Sequence, residues 1–258
     1  MGRISERFAR RRAEGQAAFA AFLTAGDPSL DRTVAAASEL EAAGVDVLEL
    51  GVPFSDPLAD GPVIQRSSER ALGRGVTLAS VLDAVRRIRE RSAIPLLLFS
   101  YLNPLLRHGL ERLARDARRS GVDGVLVTDL PPEEAGEWLA AARGEELDTV
   151  FLAAPTSGDR RLRRVTEASR GFVYAVSRTG VTGEQESLSE DAKPLVERIH
   201  ALTDVPVALG FGISTPEQVA AAARVADGVV VGSALVRFLE ESPGGDLGAQ
   251  VRWLKSAR

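Results

Sequence analysis

Short apolar runs alternate along the chain with segments in which apolar residues recur every three or four positions. The first pattern predicts buried β-strands, and the second predicts amphipathic helices. Eight strands are predicted, at residues 17–25, 46–51, 94–101, 123–129, 148–155, 171–177, 205–210 and 227–233. Since helical segments separate these strands, the sequence predicts an α/β fold, a parallel sheet closed into a (β/α)8 TIM barrel with helices outside. A doubly wound open sheet is the alternative.

A faint internal repeat supports a barrel built from two halves. The segments "IPLLLFSY" and "GVDGVLVTD" resemble "VPVALGFG" and "VADGVVVGS", and Asp123 and Asp227 within them are 104 residues apart. No linker or low-complexity tract interrupts the chain, so residues 1–258 are expected to form a single barrel domain. Before the first strand, Ile4 and Phe8 share one side of a short extra N-terminal helix.

Composition narrows the class of protein. Of the 258 residues, 45% are hydrophobic and 26% are charged, the formal net charge is −4, and there is no cysteine. This composition is that of an ordinary globular protein, and without a basic face no nucleic acid partner is expected. No apolar run reaches the roughly 20 residues of a membrane span, and the N-terminus lacks the apolar core of a signal peptide. A cytoplasmic location without membrane attachment is therefore expected.

Two connections are too long to be simple turns. One covers residues 51–76 after the second predicted strand, and the other covers about 178–189 after the sixth. Both leave the carboxyl ends of their strands, which is the face where barrel enzymes have their active sites. Long loops at that face commonly act as lids, and the second is expected to become ordered when ligand binds.

A glutamate interrupts the apolar run "DVLELG" of the second predicted strand. Because side chains alternate along a strand, Glu49 and Val47 are expected to point into the barrel while the neighbouring leucines face the helices. A buried carboxylate is either paired or has a raised pKa, and a raised pKa suits an acid–base catalyst. A salt-bridged structural glutamate is the alternative. Asp60, in the connection that follows, is either a second functional carboxylate or an ordinary Asp-Gly turn residue.

Glycine-rich ends of the last two predicted strands indicate a phosphate site. The seventh strand runs into "GFGIS" at 210–214 and the eighth into "GSAL" at 232–235, each before a helix. Backbone N–H groups at helix starts bind anions, and barrels often bind phosphate after these strands. Tight packing of strand on helix would also explain the glycines. The glycines of "SRTGVTG" at 177–183 could serve a lid or a further phosphate donor.

The scarcity of lysine and histidine limits the available chemistry. A Schiff-base aldolase needs a lysine in the barrel, but Lys193 starts a predicted helix and Lys255 lies near the C-terminus. A zinc aldolase needs clustered histidines, but His108 lies in a predicted turn and His200 near the end of a helix. No metal is therefore expected. If a carbon–carbon bond is broken here, the substrate must supply its own electron sink.

The segment "LELGVPFSDPLADG" at 48–61 resembles the signature of the tryptophan synthase alpha subunit family without a mismatch. The segments "FLTAGDP", "YLNPLLRHG", "DGVLVTDLP", "FLAAPTS", "FVYAVSRTGVTG" and "GFGIST" resemble that family in the expected order, so the resemblance spans essentially the whole chain. It implies a (β/α)8-barrel lyase of tryptophan biosynthesis that cleaves indole-3-glycerol phosphate to indole and glyceraldehyde 3-phosphate. Neither metal nor Schiff base is needed, because the indole ring, once protonated at carbon 3, is the electron sink.

The resemblance also implies roles for individual residues. Glu49 matches the acid–base residue, and Asp60 matches the carboxylate that holds the ring N–H and stabilises the cationic intermediate. The implied substrate-binding residues are Tyr174 beside Glu49, Thr182 on a lid that reaches Asp60, the phosphate donors Gly183, Gly212, Gly232 and Ser233, and the indole pocket of Phe22, Phe99, Leu126, Phe211 and Val230. Each apolar residue of that pocket could equally belong to the barrel core.

The family further implies a partner, a beta subunit that carries pyridoxal phosphate and receives indole through a tunnel in an α2β2 tetramer. No cofactor is expected in this chain, and Pro53, Asp56 and the turn "NPLLRHG" are expected to face the partner. A free-standing indole-3-glycerol phosphate lyase would have the same residues. Another sugar-phosphate isomerase or epimerase would lack the signature, and a non-catalytic activating subunit would lack one of the two carboxylates.

Overall fold

A computed structural model of the chain describes residues 2–176, 189–210 and 212–257. These residues form a sheet of nine parallel segments: β1 (Ala18–Thr24), β2 (Val47–Gly51), β3 (Leu96–Ser100), β4 (Gly124–Val127), β5 (Asp148–Val150), β6 (Leu152–Ala153), β7 (Val173–Val176), β8 (Val207–Gly210) and β9 (Gly228–Val231). Each of the eight predicted strands is present, and most are a few residues shorter than predicted.

The sheet closes through its fifth strand. β5 pairs with β4 and β6 pairs with β7, while β5 and β6 are consecutive parts of the chain separated by Phe151 alone. The nine segments therefore make eight barrel strands, in the order β5-β4-β3-β2-β1-β9-β8-β7-β6. The prediction of a (β/α)8 barrel is confirmed, and the open doubly wound sheet is wrong.

Helices precede, separate and follow the strands. Within the described residues they are α1 (Arg3–Ala13), α2 (Leu30–Ala42), α3 (Pro62–Gly73), α4 (Leu78–Arg89), α5 (Leu102–His108), α6 (Leu110–Ser120), α7 (Gly136–Gly144), α8 (Asp159–Ala168), α9 (Ala192–His200), α10 (Pro216–Ala223), α11 (Ser233–Glu241) and α12 (Leu247–Leu254). None of these described helices is both long and apolar enough to cross a membrane.

Two stretches that the sequence suggested as loop or turn are helical. The connection 51–76 contains α3, which begins at Pro62 after Gly61, because a proline at the first helical position has no N–H to lose. The turn "NPLLRHG" lies mostly in α5, so His108 ends a helix and hydrogen-bonds Asp116 at 2.8 Å. Only residues 52–61 of the first connection remain as loop before α3.

Alternate residues of the strands face different cores. Leu48 and Leu50 belong to the cluster between sheet and helices, whereas Val47 belongs to the cluster inside the barrel. The predicted alternation is therefore confirmed. The inner cluster also contains Ala20, Phe22, Leu97, Phe99, Leu126, Val150, Tyr174, Ala208 and Val230, which fill the barrel from its different strands.

The N-terminal helix closes the amino end of the barrel. Ile4 and Phe8 on α1 are almost fully buried in the inner cluster, and the Phe8 and Phe172 rings stack with centroids 5.3 Å apart. A Cβ on Gly228 would lie 2.7 Å from the Phe8 ring, so that ring needs a glycine beside it at the start of β9. The predicted helix with Ile4 and Phe8 on one side is confirmed.

Aspartates at the amino end tie neighbouring strands together. Asp123 and Asp227 each bond through their own N–H to the carbonyl of a neighbouring strand residue, and each accepts that residue's N–H at 2.8 Å. The partners are Leu96 and Val207, which hold equivalent places in the two halves of the barrel. The internal repeat therefore reflects one structural device used twice.

Each of these carboxylates is also paired with arginine. The pairs are Arg11–Asp46 at 2.8 Å, Arg89–Asp123 at 2.6 Å and Arg12–Asp227 at 2.9 Å. Asp46 has the same role as the other two, since it accepts the N–H of Phe19 at 2.9 Å. The amino end of the barrel is thus held by paired charges beneath the apolar interior.

Candidate active site

A cavity opens at the carboxyl ends of the strands, on the side opposite α1. It is lined by Phe22, Asp60, Ile64, Phe99, Tyr174, Gly212, Ile213, Val230, Gly232 and Ser233. Eight of the residues predicted for the site are in this lining. Its polar groups come from the connection after β2, from β7 and from the turns after β8 and β9, so the cavity has the position expected of a barrel active site.

Glu49 lies inside the barrel, beside this cavity rather than in its lining. It stands in register between Phe22 of β1 and Leu97 of β3, and no part of it is exposed. Neither carboxyl oxygen has a hydrogen-bond partner among the described residues. Burial in this apolar surrounding raises the pKa of Glu49 to about 8. Glu49 therefore carries a proton at neutral pH, and no salt bridge to the described residues is formed.

The ring of Phe22 occupies the inward-facing position next to Glu49 on β2. Gly51 is the next inward-facing position along β2, and a Cβ there would overlap the end of the Phe22 ring. Because Gly51 has no side chain, the Phe22 ring crosses from β1 into the space above Glu49. The same ring meets Phe99 of β3 edge to face at 5.3 Å. Two of the predicted indole-pocket residues thus form an aromatic wall near the buried carboxyl.

Asp60 is more than a turn residue, because its side chain is buried against the cavity. It is 6% exposed, and the Tyr101 hydroxyl donates to its Oδ2 at 3.0 Å. The Tyr101 hydroxyl in turn accepts the N–H of Ala59 at 3.1 Å. Burial raises the pKa of Asp60 to about 6, although the bond from Tyr101 opposes the rise. Asp60 is therefore mostly ionised at neutral pH, unlike Glu49.

Tyr174 lies close enough to the carboxyl groups of Glu49 and Asp60 to interact with them electrostatically. Burial raises its pKa well above the ordinary value, and the charges of Glu49 and Asp60 raise it further. Gly210 makes room for the phenol, since a Cβ at that glycine would overlap the Tyr174 hydroxyl. The three titratable groups come from different strands and loops, and the fold brings them within electrostatic reach of one another.

The start of α11 supplies the anion-binding end of the cavity. Gly232 is the N-cap of α11 and Ser233 is its first residue, and the N–H groups of a first helical turn have no partner within the helix. The start of α10 differs, since Gln218 Oε1 accepts the N–H groups of Ser214 at 2.7 Å and Thr215 at 3.1 Å. The N–H groups of Ser214 and Thr215 are therefore used internally, which leaves Gly212 and the start of α11 as the phosphate-binding candidates.

The structure brings most of the predicted residues together, with two kinds of exception besides Glu49. Leu126 is fully buried in the inner cluster and does not line the cavity. Thr182, Gly183 and Phe211, like nearly all of the predicted lid at 178–189, lie outside the described residues. Gly212 lines the cavity with a φ of 82°, a conformation that favours glycine.

Three residues of the site were not predicted from the sequence. Ile64 lies in the unpredicted helix α3, and Ile213 follows the recognised glycine turn. Tyr101 follows β3 directly, and the alternation that places Leu97 and Phe99 inside the barrel would also have pointed Tyr101 inward. That pattern could have identified Tyr101 as a partner for a carboxylate at the mouth.

The fold and the site together define a (β/α)8-barrel enzyme with two buried carboxyls and a helix start at the carboxyl end of the sheet. The family model described as "Tryptophan synthase alpha chain" matches residues 8–254. The chain belongs to the tryptophan synthase alpha chain family.

Relatives and solved structures agree with this family. The tryptophan synthase alpha chain of Solibacter usitatus is 56% identical over 242 residues, which cover 94% of this chain and 91% of that one. The one from Geobacter sulfurreducens is 51% identical over 257 residues, or 100% of this chain and 97% of that one. A structure of Mycobacterium tuberculosis tryptophan synthase superposes with a TM-score of 0.92 at 42% identity, covering 99% of this chain and 97% of that one.

Proposed function

We propose that the chain cleaves indole-3-glycerol phosphate to indole and glyceraldehyde 3-phosphate as the alpha chain of tryptophan synthase. Membership of the family makes it a lyase of tryptophan biosynthesis. One observation carries the mechanism, namely that Glu49 is fully buried without a hydrogen-bond partner among the described residues and has a pKa of about 8. Such a group holds a proton near neutral pH and can also release it, as a general acid and base must.

In the proposed reaction Glu49 moves protons and Asp60 stabilises charge. Glu49 gives its proton to carbon 3 of the indole ring, which leaves a positive charge on the ring. Asp60, mostly ionised at neutral pH, accepts a hydrogen bond from the ring N–H and stabilises that charge. Glu49 then takes the proton of the side-chain hydroxyl, the bond from ring carbon 3 to the side chain breaks, and its electron pair returns to the ring. The products are indole and an aldehyde.

The rest of the site would hold the two ends of the substrate. We assign the phosphate to Gly212, Gly232 and Ser233, because Gly232 and Ser233 begin α11 and all three line the cavity. The indole ring would lie against Phe22, Phe99 and Val230, with Leu126 behind them. Roles for Tyr174 beside Glu49 and for Thr182, Gly183 and Phe211 rest on the resemblance to the family. No step of the proposed reaction requires a metal or a cofactor in this chain.

A beta-subunit partner is implied by the similarity to M. tuberculosis tryptophan synthase. We propose that the partner lies over the surface formed by the loop after β2 and by α5, in an α2β2 tetramer, and that pyridoxal phosphate belongs to the partner. Exposed leucines support this surface, because Leu58 in the loop is 85% exposed and Leu106 on α5 is 54% exposed. We place the complex in the cytoplasm.

Indole release from indole-3-glycerol phosphate, with and without added beta subunit, tests the function directly. We expect release by the purified chain and faster release in the complex. Full turnover that the beta subunit leaves unchanged would favour a free-standing lyase, which the family match does not support. Absence of indole under both conditions would contradict the proposed reaction.

Substitution at the start of α11 tests the phosphate assignment. Ser233→Asp places a carboxylate where the anion would bind, so binding of phosphorylated ligands should weaken by about 10²-fold or more. An indole analogue without phosphate should bind with nearly unchanged affinity. Calorimetry of the folded variant with both ligands measures the two effects, and equal losses would place the phosphate elsewhere.

A further inference from the structure

A group of charged side chains lies outside the cavity, where the loop after β1 meets α3 and α11. Asp27 of that loop is only 6% exposed. Arg70 of α3 forms a bidentate salt bridge with Asp27, in which Nε donates to Oδ1 at 3.0 Å and Nη2 donates to Oδ2 at 2.6 Å. The Ser67 hydroxyl also donates to Oδ2, at 2.8 Å. Glu240 near the end of α11 accepts from Nη1 of Arg70 at 2.8 Å. We call Asp27, Ser67, Arg70 and Glu240 the Asp27 cluster.

The Asp27 cluster joins three elements that each carry a residue of the cavity. β1, which precedes Asp27, carries Phe22, while α3 follows Asp60 and α11 begins at Ser233. No member of the cluster lines the cavity itself. The cluster can therefore influence the site only through the positions of these elements.

Asp60 is coupled to α3 through the chain and through a hydrogen bond. It immediately precedes Gly61, the N-cap of α3. Gln65 in the helix donates its side-chain amide to the Asp60 carbonyl at 2.8 Å. Because backbone hydrogen bonds make a helix stiff along its axis, a displacement at Ser67 and Arg70 would be carried to Asp60.

We propose that the Asp27 cluster positions Asp60, with the two-pronged Asp27–Arg70 contact as its main element. This inference rests on the proposed function, in which Asp60 stabilises the charged ring. Two-pronged contacts between arginine and carboxylate fix geometry as well as energy. Without it, Asp27 keeps the hydrogen bond from Ser67 at 2.8 Å and a longer contact with Arg74 at 3.5 Å, neither of which is bidentate. Arg70 and Asp27 are thus positioning residues.

The expected kinetic effect falls on turnover rather than on substrate binding. A misplacement of about 1 Å can cost up to about 10²-fold in rate, and a partial loss of one brace should cost on the order of 10-fold in kcat. KM should change much less, because most residues assigned to the phosphate and the ring lie outside α3, and the bond from the ring N–H to Asp60 matters most when the ring is charged. A merely structural role would lower the melting temperature and leave kcat per folded molecule unchanged.

The test compares Arg70→Met and Arg70→Lys with a matched control on another helix. Lysine keeps the charge but cannot form the two-pronged contact. Arg32 binds Glu39 on α2 in the same two-pronged way, at 2.8 and 3.0 Å, and neither residue contacts the cavity. Glu39→Gln therefore removes a comparable contact from the barrel exterior. Melting temperature, kcat and KM for indole release are measured for the wild type and all three variants.

A second readout does not depend on activity. Carbon-13 NMR of the Asp60 carboxyl follows its titration, and the groups that face it, Tyr101, Tyr174 and Glu49, are unchanged in every variant. Burial is what raises the pKa of Asp60 to about 6, so a displaced and better hydrated Asp60 should titrate closer to its ordinary value of 3.8. We expect this decrease in the Arg70 variants and not in Glu39→Gln.

The outcomes separate this inference from the proposed function. Lower kcat and a lower Asp60 pKa in the Arg70 variants alone would support it. Arg70 variants that match Glu39→Gln in both readouts would overturn it. If the wild type released no indole, the proposed function would fail, and the titration would still decide whether the cluster positions Asp60. If Arg70→Met did not fold, Arg70→Lys would decide.

Discussion

The two ends of this barrel treat buried carboxyls in opposite ways. At the amino end, Asp46, Asp123 and Asp227 each bind an arginine and a backbone N–H of a neighbouring strand. At the carboxyl end, Glu49 is fully buried without a hydrogen-bond partner among the described residues. A paired carboxylate ties strands together, whereas burial without a partner raises the pKa of Glu49 to about 8. The difference separates residues that hold the fold from residues that can do chemistry.

Burial raises the pKa of a carboxyl group at either end of the barrel. Asp148 begins β5 at the amino end, yet its Oδ2 has no partner among the described residues, and burial raises its pKa to about 6. Asp60 lies at the carboxyl end and has a partner in Tyr101, and it titrates below Glu49. The surroundings of each carboxyl group, rather than the end of the barrel on which it lies, set its pKa.

The strongest test of this difference between the two ends is Glu49→Gln, which has the largest expected effect on activity. Glutamine has nearly the same shape and keeps the buried position, but it cannot give up or accept the proton. General acid–base catalysis contributes about 10²–10⁴-fold, so indole release should fall by at least that factor. Calorimetric binding of a substrate analogue provides the control for an intact site. A variant that retained more than about a tenth of the wild-type turnover would contradict the acid–base role.

Substitution of a carboxylate at the amino end should lower stability and leave the catalytic rate unchanged. Asp123→Asn leaves Arg89 without its charged partner at a position where the arginine side chain is 14% exposed. Breaking a buried ion pair by removing one partner costs about 3–5 kcal/mol, so the free energy of unfolding should fall by about that much. Denaturant unfolding measures the loss, and kcat per folded molecule should remain at the wild-type level. If kcat fell although all of the variant was folded, the amino end of the barrel would influence catalysis at the carboxyl end.

Unfolding at different pH values sharpens the comparison by measuring the protonation of Glu49. Its ordinary pKa of 4.5 applies in the unfolded chain, and its pKa is about 8 in the folded protein. Between these values the unfolded state binds fewer protons, so stability falls as pH rises. In Glu49→Gln this pH dependence should be absent. Between about pH 5 and 7 the free energy of unfolding of the wild type should therefore fall by about 2–3 kcal/mol relative to that of the variant. Parallel stability curves for the two proteins would mean that Glu49 is ionised when folded.

The smallest expected effect concerns the hydrogen bond that Asp60 accepts. Tyr101→Phe keeps the ring that packs on Phe54 at 5.1 Å but removes the donor to Asp60. Since that bond lowers the pKa of Asp60, the pKa should rise by roughly 1–2 units on its removal. The acid limb of the pH–rate profile should move upward by the same amount, with a loss of about 10-fold in turnover near pH 6 and less at higher pH. An unmoved limb would indicate that ionised Asp60 does not govern it.

The barrel was predictable from the sequence because its strands are short apolar runs at regular intervals. Alternation alone placed Glu49 inside, since Leu48 and Leu50 must face the helices. α3 was missed because the segment that precedes it reads as a loop and the helix begins directly after that segment, at Pro62. Its burial pattern depends on α11 and β1, which are distant in the sequence, so the helix is defined by contacts that local patterns do not contain.

The site was predictable as a set of residues but not as an arrangement. The sequence indicated two carboxyls, but only the fold shows that Tyr101 binds Asp60 and that Glu49 lies beneath the Phe22 ring. It indicated two glycine turns as anion sites, and only the fold shows that Gln218 accepts the N–H groups of Ser214 and Thr215 beside one of them. Such distinctions depend on distances of a few tenths of a nanometre between segments far apart in the chain.

Helix α1, which closes the amino end of the barrel, limits the routes by which substrate can enter and products can leave. Because α1 places Ile4 and Phe8 beneath the interior, the described residues close the barrel at its amino end. The cavity opens at the opposite end, where the proposed partner would lie. If a partner subunit covered this opening, substrate entry and product release would both pass along its surface, and an aromatic product could reach the partner before it reached bulk solvent.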